Sequence, residues 1–73
     1  MFSSIVVGTD GSATARIAEG AAVMLARAHD ARLVLASAYM DVTDPVDAVL
    51  EESAAVARTR WPRVETRSVR GDP

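Results

Sequence analysis

Two short runs of unbroken apolar residues constrain this chain most: Ile5-Val6-Val7 and Leu33-Val34-Leu35. A strand with one wet face alternates apolar and polar residues, whereas a strand of a parallel sheet, covered on both faces, reads as a continuous apolar run. Between the runs the spacing changes to three and four residues. Ile17, Ala21, Met24, Leu25 and Ala28 recur at helical intervals and predict a helix whose core-facing side they form. Ser12 is the expected N-cap, although Ala15 does not complete a capping box. Asp30 is the expected end, because Asp tolerates the left-handed conformation. Gly20 lies inside this helix and lowers its propensity, which suggests a close approach of helix to sheet.

The second strand is expected over 31–39, "ARLVLASAY". After the loop "MDVTDP", Asp44 is placed to cap a second helix, with Pro45 at its first position and Asp47 in its first turn. Val46, Val49, Leu50 and Ala57 give that helix an apolar side, and Trp61-Pro62 ends it. "VETRSVR", 64–70, is more polar and predicts an edge strand. The order β-α-β-α-β is the signature of an α/β protein with a parallel sheet.

Crossovers between parallel strands are right-handed in about 98% of cases. Two crossovers moving the same way place both helices on one face and leave the other face of the sheet bare, to be covered by missing sequence or by another chain. The 73 residues therefore read as the N-terminal half of a single domain, with the C-terminal half outside them. "GDP", 71–73, repeats the Asp-Pro of "TDP", 43–45, as though a third helix were about to begin.

Composition narrows the function classes. The chain has no cysteine, one histidine (His29) and eight basic residues, all of them arginine, against ten acids. A disulfide framework and a thiolate metal site are excluded. The arginines are dispersed and aromatics make up 4%, which argues against nucleic acid as a partner. No apolar run reaches the roughly 20 residues needed to cross a bilayer, so a membrane is not expected as a partner. The N-terminus "MFSSIVV" does not read as a signal peptide, and a cytoplasmic location is expected. His29 reads as a solvated residue at the negative end of the first helix dipole. Glu51 and Glu52 read as a solvated helix face, and Trp61 as packing under the second helix.

The chemistry is concentrated in Gly8-Thr9-Asp10-Gly11-Ser12, at the carboxyl end of the first strand and just before a helix. Ligands of parallel α/β sheets bind at that edge, and a helix N-terminus favours an anion. Asp10 can accept hydrogen bonds from ribose hydroxyls or an exocyclic amine, while Thr9 and Ser12 offer donors. A Walker A loop is excluded because the chain has no lysine, and the dinucleotide fingerprint G-x-G-x-x-G is missing. The spacing alone leaves two readings open: a ligand site, or a strand-to-helix turn with a serine cap.

"IVVGTDGS", followed by an alanine-rich helix, "ARLVLASAYM" and finally "VRGDP", resembles the universal stress protein (UspA-like) family over essentially the whole chain, which amounts to about the first half of a family domain. The resemblance implies a Rossmann-like (adenine nucleotide α-hydrolase-like) sheet of order 3-2-1-4-5. It also implies binding of ATP, AMP or cyclic AMP, with Mg²⁺ accompanying ATP. Thr9, Asp10, Gly11 and Ser12 then form the nucleoside turn, Ala38 packs on the adenine, and a later glycine motif holds the phosphates. A homodimer of the complete protein is implied as well. Strong catalysis is not expected. The related α-hydrolase enzymes carry Ser-Gly-Gly-x-Asp-Ser after the first strand, which Gly8–Ser12 matches poorly, and no nucleophile–base pair is visible. The alternative is a family member that binds no nucleotide and acts through dimerisation and protein partners.

Overall fold

A computed structural model describes residues 3–39 and 46–70. The elements alternate as expected: β1 (Ser4–Gly8), α1 (Ala13–His29), β2 (Arg32–Tyr39), α2 (Val46–Arg58) and β3 (Val64–Arg70). The strands form one parallel sheet in the order β1-β2-β3, with Val6 opposite Val34 and Val34 opposite Glu65. That is the 3-2-1 portion of the expected order. The Asp44 cap, Pro45, the 40–45 loop and the 71–73 segment lie outside the described residues.

Both helices cover the same face. A single buried cluster joins Ala22, Val23 and Ala26 of α1, Leu50, Ala54 and Ala57 of α2, and Leu33, Leu35 and Val64 of the sheet. Strand residues alternate faces, so Val6, Val34 and Val69 share the opposite one. There Val6 is 68% exposed and Val69 is exposed too, while Val34 is buried on the central strand. Arg32 and Glu65 pair across this face at 3.0 Å, and both are partly solvated. Among the described residues, nothing packs over Val6.

The buried side of α1 is not the one its large residues suggested. Ile17 is 76% exposed and Met24 69% exposed, Leu25 is exposed, and Ala21 and Ala28 are exposed with them. The residues that face the core are Glu19, Ala22, Val23 and Ala26. Leu33 and Leu35 already fill the space above the sheet, and alanines let the helix settle on them where longer side chains would hold it away. Gly20 also differs from expectation. A Cβ added there would meet nothing within 4 Å, so it serves no close approach to the sheet.

The helix termini follow the sequence. Ser12 Oγ accepts from the Ala15 N–H at 3.1 Å, and Asp30 closes α1 in the left-handed region at φ 51°. Trp61 is half-buried against the core, and its Nε1 donates to the Ala31 carbonyl at 2.8 Å. The Arg58 guanidinium donates to the Val64 carbonyl and ties the end of α2 to the start of β3.

Candidate nucleoside site at the β1–α1 turn

The polar turn is built largely from hydrogen bonds within itself. Thr9 continues the ladder beyond β1, its N–H donating to the Ala36 carbonyl at 2.9 Å. Thr9 is buried, and its Oγ1 accepts from the Gly11 N–H at 3.2 Å. Asp10 is exposed, and its Oδ1 accepts from the Ser12 N–H at 2.9 Å. Two successive side chains thus each hold an N–H two residues ahead, a local pattern that Asp and Thr support readily. The hydroxyl of Ser12, followed by its backbone N–H, holds the Asp10 carboxyl below its ordinary value of 3.8.

Gly11 makes the reversal possible. Its φ is +80°, a region that side-chain-bearing residues rarely adopt, and a Cβ there would stand 3.1 Å from Val49 Cγ1 on α2. Both features give Gly11 a structural role in holding the turn against α2.

Gly8, Thr9, Asp10 and Ser12 line an open cleft of about 580 Å³ together with Thr14, Ala15 and Ala18 of the first turns of α1. The cleft offers the exposed Asp10 carboxylate, the Ser12 hydroxyl and the helix N-terminus, where N–H groups without an intrahelical partner favour negative charge. The turn residues expected from sequence therefore come together at the carboxyl edge of the sheet, although Gly11 does not line the cleft. Ala38 stands apart. It is exposed near the end of β2, two residues beyond the Ala36 that pairs with Gly8, and it does not line the cleft. Thr14, Ala15 and Ala18 line the cleft without having been expected. Thr14 and Ala18 stand four residues apart on one side of α1, a signal available once α1 is placed.

Among the described residues, no cluster of three or more Asp, Glu, His or Cys is arranged to hold a metal ion, and no helix is long and apolar enough to cross a membrane.

Comparison with known proteins agrees with this fold. No curated protein matches the chain. The crystal structure of a universal stress protein in complex with cAMP is 37% identical, with a TM-score of 0.83, over 96% of this chain and 55% of that one. Protein Rv1636 from Mycobacterium tuberculosis H37Rv is 37% identical, with a TM-score of 0.81, over 96% of this chain and 54% of that one. A universal stress protein family member from Burkholderia pseudomallei is 35% identical, with a TM-score of 0.67, over 97% of this chain and 64% of that one. The chain thus spans a little over half the length of the first two solved relatives. The family model of the universal stress proteins matches residues 1–73, and the chain belongs to the universal stress protein family.

Proposed function

We propose that this chain contributes the nucleoside-holding turn of an adenine-nucleotide-binding stress regulator, as the N-terminal half of one domain. The observation that carries the reading is the exposed Asp10 carboxylate, held by Ser12 at the mouth of the β1–α1 cleft, in a chain 37% identical to a protein crystallised with cAMP. A carboxylate kept ionised and oriented is a strong acceptor for ribose hydroxyls or the adenine amine. The helix N-terminus beside it favours a phosphate. Thr9 and Gly11 shape the turn, Ser12 donates, and Ala38 offers a small surface at the same sheet edge against which a base could lie. Phosphate contacts, and with ATP a Mg²⁺ ion, come chiefly from residues beyond this chain.

Calorimetric titration of the complete protein with cAMP, AMP and ATP tests the proposal. Saturable heat that Asp10→Ala weakens at least tenfold supports it; equal affinity in the variant sinks it.

The bare sheet face favours a second reading, in which the chain works by assembly. Val6 and Val69 leave an apolar surface without cover among the described residues, and such surfaces mark association. This reading expects a stable oligomer, a homodimer in the simplest case, and no heat with any of the three nucleotides.

A further inference from the structure

The cleft between α1 and α2 contains two buried polar atoms that the described residues leave unsatisfied. Glu19 is 6% exposed and Ser53 2% exposed, yet among the described residues Glu19 Oε1 and Ser53 Oγ find no hydrogen-bond partner. Among the described residues the second Glu19 oxygen has Arg16 Nε at 3.9 Å, and Arg16 shares its charge with Glu52 at 3.2 Å. A carboxylate taken out of water with so little compensation is costly unless a donor reaches it.

There is room for one. Glu19 and Ser53 line a cavity of about 160 Å³ whose apolar wall includes Val23, Val56 and Ala57. Gly20 lines it as well, and a Cβ there would meet nothing within 4 Å, so the helix leaves this space open. Cavities of ~150 Å³ in other proteins hold a molecule the size of benzene. Arg60 lines the cavity too and is exposed to solvent.

We propose that this cleft binds a small zwitterion of amino-acid size. Its ammonium group donates to Glu19 Oε1 and Ser53 Oγ, its short aliphatic part lies on Val23, Val56 and Ala57, and its carboxylate meets Arg60. An ammonium group has three donors and no acceptor, which matches the two open acceptors, one of them on a carboxylate whose other oxygen has Arg16 no nearer than 3.9 Å. The site uses none of the residues of the β1–α1 cleft and does not depend on nucleotide binding.

The test is a two-dimensional amide NMR titration of the protein with valine as the probe, and with isobutylamine and isovalerate as controls. Valine is expected to shift the amides of Glu19, Gly20, Ser53 and Ala57 saturably, with a dissociation constant on the order of 1 mM. Isobutylamine is expected to bind more weakly, because it lacks the carboxylate for Arg60, and isovalerate not at all. Glu19→Gln should abolish the valine response by removing the charge. Gly20→Leu should abolish it by filling the cavity, while the amides of β2 stay in place and report an intact fold. Three results would overturn the proposal. One is no saturable shift with valine, which assigns the cavity to water. Another is an equal response to isovalerate. The last is an undiminished response in Glu19→Gln together with Gly20→Leu.

Discussion

Gly11 and Val49 meet so closely that a single methyl group on the glycine would come within 3.1 Å of the valine Cγ1. The turn that presents Asp10 is thus braced against the first half of α2, an element more than thirty residues further along the chain. Gly11→Ala adds both a left-handed strain and a steric one, so about 1–3 kcal/mol of stability should be lost. Urea unfolding of the two proteins measures it. In the double variant Gly11→Ala/Val49→Ala, removing the obstructing methyls should return only the steric share.

Asp10 gives a pH dependence with a definite sign. Its carboxyl is held below 3.8 in the folded state by Ser12, so it contributes stability above the unfolded pKa that is lost as the pH falls through the folded one. Carboxyl-carbon NMR should show a titration midpoint below 3.8. Ser12→Ala should move that midpoint upward. The same substitution removes the cap on the Ala15 N–H and should cost about 1 kcal/mol.

The two sides of α1 should respond oppositely to change. Met24→Gln alters an exposed position and should shift stability by no more than about 0.5 kcal/mol. Ala26→Leu forces three extra heavy atoms into a site that is fully buried, and overpacking of this kind costs about 1–3 kcal/mol. Thermal unfolding of both variants distinguishes this orientation from one in which Met24 faces the sheet.

Trp61 anchors the crossover into β3 through the Ala31 carbonyl. Trp61→Phe keeps much of the packing and deletes the donor, with an expected loss of about 1 kcal/mol. Hydrogen exchange should report the effect locally. The amide of Leu33, which donates to the Arg63 carbonyl, should lose protection before the amides pairing β1 with β2.

The pattern of strands and helices was legible because it rests on local signals: unbroken apolar runs, Ser12 and Asp30 as caps, and Pro62 after Trp61. The orientation of α1 was not. Its sequence carries two apolar stripes, and the larger residues occupy the one turned to solvent, so hydrophobicity alone selects the wrong side. What decides is volume above Leu33 and Leu35, a property of the assembled sheet that no window of one helix contains. The turn was legible as a unit for the opposite reason, since Thr9, Asp10 and Ser12 bond to near neighbours. Gly11 was readable as a turn residue, but its contact with Val49 belongs to tertiary packing. Glu19 gave no hint of burial, because a charge in an alanine-rich helix looks like any solvated residue.

The two margins of the sheet are chemically unlike. Ser4–Gly8 of β1 carries no charge, whereas β3 presents Glu65 and Arg67 among its solvent-facing residues, and charged side chains discourage lateral pairing. Growth by another strand is therefore directional, favoured beside β1 and resisted beside β3. Such an addition would carry the Thr9–Ser12 reversal from the rim of the molecule to its middle, where neighbouring strands diverge and a crevice opens.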